Sequence, residues 1–303
     1  MAFFPRLCTV LLALGATGTS APSLVAQRSA VPEVLLRLDD VGMNHSVNSA
    51  IARVAETGIP FSVSVMFACP WYQEAVEILR KNPQIAVGVH LTLNSEWRNY
   101  RWGPVLGKTA VPTLVDSVGY FLPSTEQFLA RKYDLGEVER ELSAQMDRAM
   151  ASGLKISYID HHMGTAVATP ELRVVLEGVA KKYGVGISRY FGESYHTMFD
   201  TPIEAKKHEF LALLASADPA RTNLVVVHAA QRTPEMDVLF DNNNAAQNST
   251  DGLPQVARHR QSELEMLLSP EFADVVRAGT VRLVTYQQVI ARAGGVSAMR
   301  RPQ

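Results

Sequence analysis

Short apolar runs alternate with helical patterns from residue 33 onward, and this alternation restricts the fold more than any other feature of the chain. Residues 34–38, 61–67, 85–93, 156–160, 185–188, 223–228 and 281–285 read as buried strands. Residues 46–57, 71–81, 135–152, 170–183, 203–215, 256–268 and 286–292 read as helices, with Leu142, Met146 and Met150 forming one stripe of the third. Strands and helices in strict succession predict an α/β architecture built on a parallel sheet or barrel. The stretch 94–123 reads as an irregular excursion, and 242–252 as a polar, turn-rich surface loop. No internal repeat or linker divides the chain, so one domain over 27–303 is expected.

The N-terminus carries a different pattern. Arg6 precedes an apolar stretch over 7–16, then small residues lead to Leu24-Val25-Ala26. That order is a secretory signal peptide over 1–26, with export to the periplasm or beyond as its consequence. The apolar stretch is shorter than the roughly 20 residues a membrane-spanning helix needs, so no stable span is expected. Cleavage there leaves Cys69 as the one cysteine of the mature chain, which excludes an internal disulfide; Cys69 reads as a small buried residue. Of 303 residues, 29 are Lys or Arg and 30 are Asp or Glu, a net charge of −1 with no basic excess or dense basic run to favour nucleic acid.

Titratable residues gather where the predicted strands end. Asp39 and Asp40 follow the first strand, His90 sits in the third, Asp160-His161-His162 closes the fourth, and His228 ends the run Leu224–Val227. Each cluster has an ordinary explanation, as a helix cap or a hydrogen-bonded core histidine. Their shared position is more informative, because the C-terminal ends of parallel strands lie on one face of an α/β barrel. One Asp with two His can hold a divalent ion and leave room for water and a substrate oxygen, a set suited to hydrolysis. Trp97, Tyr100 and Trp102, with Arg98 and Arg101, form an aromatic and basic patch in the excursion that either stacks on a sugar or packs its own loop. Arg189 follows a strand at the same end as a candidate substrate contact. His45, His196, His208 and His259 read as surface groups.

The ordered set Leu38-Asp39-Asp40-Val41-Gly42-Met43, Gly88-Val89-His90-Leu91, Ile159-Asp160-His161-His162 and Val227-His228 resembles the YdjC-type carbohydrate deacetylases, which include the chitooligosaccharide deacetylases. The helix with Arg260, Glu263 and Leu267 and the strand from Val281 resemble the same family, so the likeness runs from about Val34 to Val289. It implies a distorted TIM-like (β/α) barrel and a hydrolase that removes acetyl groups from N-acetylated sugars or oligosaccharides. It also implies one divalent ion, magnesium or zinc, held by Asp40, His90 and His162. Asp39 would be the base that activates water, His228 a protonated acid serving the departing amine or a substrate contact, and Asp160 a group orienting a ligand histidine or a nearby donor.

The chain departs from the family in places: His161 stands where a serine is usual, and Ala229-Ala230 follow His228. Strand alternation lets only one of His161 and His162 face the ion, and His162 aligns with the ligand position. Two other readings stay open, a metal hydrolase of a different bond and a non-catalytic glycan-binding barrel. The glycan and the oligomeric state, a homodimer included, are not fixed by sequence.

Overall fold

A computed structural model describes residues 1–3, 31–244 and 254–302. Most of the expected leader, 4–26, and most of the expected polar loop, 245–252, lie outside the described residues.

Among the described residues, eight strands form one parallel sheet curled into a half-barrel: β1 (Glu33–Val41), β2 (Ser62–Val65), β3 (Ala86–Leu91), β4 (Ile156–His161), β5 (Gly186–Ile187), β6 (Ser194–Thr197), β7 (Thr222–Val227) and β8 (Arg282–Val284). The order is β5-β4-β3-β2-β1-β7-β6, with β8 also paired to β1. Strand β1 is central: β7 follows one edge, while the other edge meets β8 at Glu33–Leu35 and β2 from Arg37 onward. Helices α1 (His45–Glu56), α2 (Tyr72–Lys81), α3 (Thr125–Leu129), α4 (Leu135–Ala151), α5 (Pro170–Tyr183), α6 (Lys206–Ala215), α7 (Pro234–Asp237), α8 (Val256–Leu267) and α9 (Pro270–Ala278) occupy the connections, and α10 (Tyr286–Arg292) follows the last strand. The α/β barrel-like fold expected from the sequence is therefore what the chain adopts. Strand β6, helix α9 and the short helices α3 and α7 are additions to that reading. The Ser-Tyr-His-Thr of β6 has no apolar run to announce it, and α9 shows its start only in the Ser269 cap and the proline behind it.

Alternation along the strands divides the core in two. Val34, Leu36, Leu38, Val87, Val89, Leu91, Ile159, Val225 and Val227 join the large apolar layer beneath the helices. The opposite side chains, Leu35, Tyr158, Leu224 and Val226, pack with Val284, Tyr286, Val289 and Ile290 into a smaller cluster. Tyr286 opens α10 and its ring lies 4.2 Å from that of Tyr158, while its backbone N–H donates to Ser62 Oγ at the start of β2 (2.9 Å). Helix α10 thus closes the strand-start end of the curl. Gly88 is required there, because a Cβ at this position would lie 2.4 Å from the Tyr158 ring. Among the described residues no helix is long and apolar enough to cross a membrane.

Candidate metal centre and active site

Two strand residues beyond the small apolar cluster, the same inward positions turn polar. Arg37 and Asp39 follow Leu35, His90 follows Gly88, Asp160 and His162 follow Tyr158, and His228 follows Val226. All of these except Asp160 line one cavity of about 650 Å³ at the strand ends.

Adjacent residues of a regular strand point to opposite faces, so Asp39 and Asp40 could not both serve one cavity without a break. The break is present: the β1–β2 register shifts between Leu38 and Val41, and Asp40 takes a left-handed φ of 62°. Met163 and Arg189 are the other two non-glycine residues with positive φ among those described, and all three line this cavity. Strained backbone of this kind persists where the surroundings impose it, and it concentrates at functional sites.

Asp40 Oδ1, His90 Nε2 and His162 Nδ1 form a triangle. The carboxylate oxygen is 3.4 Å from each nitrogen, and the two nitrogens are 3.3 Å apart. Each donor is backed by a partner on its other atom. His90 Nδ1 lies 2.7 Å from Asp160 Oδ1, directly across the β3–β4 register, and His162 Nε2 lies 2.9 Å from Glu96 Oε2. Arg260 donates to Asp40 Oδ2 at 2.6 Å. Carboxylates behind both rings take the outer N–H and leave a lone pair aimed inward, as in metal-ligating histidines.

Asp40 Oδ1 is buried with no hydrogen-bond partner, an expensive state for a carboxylate unless a cation faces it. Donors about 2.0–2.1 Å from a tetrahedral ion would stand roughly 3.4 Å apart, so the triangle fits. Charge points the same way. Burial lowers the His162 ring, but Glu96 and Asp40 beside it raise it to about 9; His90 is likewise disfavoured by burial yet lifted well above its ordinary value by Asp160 and Asp39. Asp40, penalised by burial, is held well below the usual carboxylate range by Arg260 and the two imidazoles. The cluster demands positive charge.

A second group of possible donors, Asp39, His90 and Asp160, is spent on internal contacts. Arg37 grips both oxygens of Asp39, at 2.7 and 2.6 Å, and also lies 3.0 Å from Asp160 Oδ2, which Ser64 Oγ reaches at 2.6 Å.

The remaining expected residues fall as follows. His161 lies on the opposite strand face by alternation and adds no donor to the triangle, although it borders the cavity; burial pushes its ring down to about 4. His228 lines the cavity with its ring edge-on to Phe199 at 5.2 Å. Burial pushes the His228 ring down to about 4 despite the nearby Asp40 and Asp39. Trp97 is buried against the cavity, and Trp102 packs edge-on to His162 at 6.0 Å, so the aromatic patch of the excursion turns inward. Arg189 is an exposed residue at the cavity, its guanidinium 4.8 Å over the Tyr195 ring. His259 is buried, at 4% exposure, where the sequence had placed it on the surface. Cys69 is buried too, and burial drives its thiol well above the usual range, away from nucleophilic use.

Glu96, Arg37 and the partnership of Arg260 with Asp40 went unread in the sequence. Glu96 has no strand pattern around it, and the Arg260–Asp40 pair joins residues 220 positions apart.

A parallel α/β half-barrel with an Asp-His-His cluster at its strand ends defines a class of candidate metallohydrolases. Within that class, the family model for YdjC-like proteins matches residues 33–278, and the chain belongs to this family. A carbohydrate deacetylase of Brevibacillus brevis is 24% identical over 267 residues, 85% of this chain and 99% of that one. One from Listeria welshimeri is 31% identical over 173 residues, 56% of this chain; the match spans 66% of the relative's own length. Among solved structures, a candidate cellobiose-phosphate cleavage protein of Enterococcus faecalis shares the fold with a TM-score of 0.66 at 23% identity, covering 85% of this chain and 98% of that one.

Proposed function

We propose that the protein is a metal-dependent carbohydrate deacetylase that hydrolyses the acetamide of N-acetylated sugars or oligosaccharides. The observation that carries this reading is the triangle of Asp40, His90 and His162, with a backing group behind every donor. The deacetylase relatives support the substrate class. Two imidazoles beside one carboxylate favour a borderline ion such as zinc, with magnesium second. When bound, the ion supplies a Lewis acid for the acetamide carbonyl and lowers the pKa of water toward about 7.

The chain's own groups do the rest. Asp39 accepts the proton of the attacking water, and the Arg37 fork fixes the plane of its carboxylate. His228 faces the departing amine. It passes that amine a proton, so the one taken by Asp39 is given back as the C–N bond breaks and acetate leaves. Trp97 and Arg189 form substrate-facing wall. Residues 1–26, as an export signal, would place this reaction in the periplasm or outside the cell.

The test is acetate release from chitooligosaccharides and other N-acetylated sugars by the zinc- or magnesium-loaded protein. Asp39→Asn should retain one ion per chain while turnover falls by about 10²- to 10⁴-fold. Ion-bearing protein that releases no acetate from any of these sugars would overturn the reading.

A further inference from the structure

Helix α8 carries two buried charged side chains three residues apart, on one face. Arg260 reaches Asp40, as described. Glu263, at 1% exposure, reaches the neighbouring strand: its Oε2 accepts the backbone N–H of His228 at 2.6 Å. Its other oxygen accepts from Lys206 Nζ, also at 2.6 Å, and Lys206 is fully buried at the start of α6. Lys206 Nζ donates in addition to the carbonyl of Met198.

These contacts fall where the sheet stops holding the chain. The last β6–β7 pair is Thr197 with Val226, and the last β1–β7 pair is Leu38 with Val227. Met198-Phe199 and His228 are the first residues past those pairs, and there the ring of Phe199 meets that of His228 at 5.2 Å. A buried ion pair is weak support for stability, since desolvating both charges offsets most of their attraction. Two apolar residues would close this part of the core as well. What an apolar pair could not do is hold two chain exits by hydrogen bonds to named backbone atoms.

We propose that Lys206 and Glu263 are a positioning pair: they fix the exits of β6 and β7 so that the His228 ring is set against Phe199 over the cavity. The turnover consequence rests on the role given to His228 above, whereas the placement itself does not.

The experiment therefore has two readouts. The first needs no substrate: the ring C–H resonance of His228, identified by its loss in His228→Gln, is followed by NMR in the full chain. Glu263→Ala and Lys206→Met should shift it by a ring-current change, and Lys207→Met, which breaks the exposed pair with Glu271, should not. An unmoved resonance in both buried variants, with folding intact by circular dichroism, would overturn the proposal. Should both variants fail to fold, the double variant Lys206→Met with Glu263→Gln removes both charges yet keeps an acceptor for the His228 N–H. Its resonance should still move from the wild-type position, because the grip of Lys206 on the Met198 carbonyl is gone, and an unmoved resonance would overturn the pair.

The second readout is kinetic. In Glu263→Ala, kcat should fall on the order of 10- to 100-fold with KM and metal stoichiometry unchanged. The loss should vanish in a His228→Ala background, because coupled residues are non-additive. A shifted resonance with unaltered kcat would keep the positioning and remove the role of His228 in turnover.

Discussion

The strand-start and strand-end halves of the barrel lumen are built from the same strands and the same inward parity, yet they do opposite things. Below, Leu35, Leu224, Val226, Tyr158 and Tyr286 fill space, and the hydroxyls of both tyrosines are hydrogen-bonded. Above, one or two inward positions further along, Asp39, His90, His162 and His228 surround a cavity. Backbone alternation decides which residues look inward, and depth along the strand decides whether they pack or react. The upper half keeps its charges because Arg37 meets Asp39, Arg260 meets Asp40, Asp160 meets His90 and Glu96 meets His162 in defined geometry.

Four measurements would break or sharpen that contrast. The largest effect should come from the triangle itself: His90→Ala should abolish stoichiometric metal binding, read by elemental analysis, while the apo fold survives. Next is a cut in the lower half. Leu35→Ala, fully buried, should cost about 2–5 kcal/mol in denaturant unfolding without changing the stoichiometry of ion bound by folded protein. A Leu35→Ala variant that lost its ion while still folded would show that the halves are not separate.

Third, Asp160→Asn removes the charge behind His90 and should weaken metal affinity by about 10- to 100-fold, measured by chelator competition. The fourth concerns pH. His228 is pushed down to about 4 by burial, so the unfolded chain takes up a proton there that the folded chain refuses. Its contribution to stability is therefore complete above pH 6.5 and is lost as pH falls from there toward 4. Thermal unfolding of metal-free protein should show His228→Gln losing less stability than wild type across that window. Parallel curves for the two proteins would contradict the lowered affinity of the ring for a proton.

Much of the fold was legible because it depends on local pattern. The runs at 34–38, 85–93, 156–160 and 223–228 alternate or stay apolar over strand lengths, and their chemical residues do meet at one end. What alternation could not give was Asp40, since a strand residue with left-handed φ is visible only in the backbone. Nor could it give the partners. Glu96 comes from the excursion, Arg260 from a helix late in the chain, and Arg37 from the strand of Asp39, where its side chain could equally have pointed to solvent. His259 misled because Arg-His-Arg looks like a solvated helix face. In the fold, α8 packs against α1, α6 and α7 and leaves little of that face exposed. Long-range pairing, not local propensity, hid these residues.

The supports of the triangle also set a limit on transplantation. A designer could copy the aspartate and two histidines onto almost any parallel barrel, because strand ends of that kind are common. The copy would lack the strand β4 carboxylate, the excursion glutamate and the α8 arginine that stop each donor from turning. Such a graft would own three ligands with free torsions, and it would bind an ion weakly and in several poses. The portable unit is six residues on five separate segments, which is why the site travels with its whole fold and not as a motif.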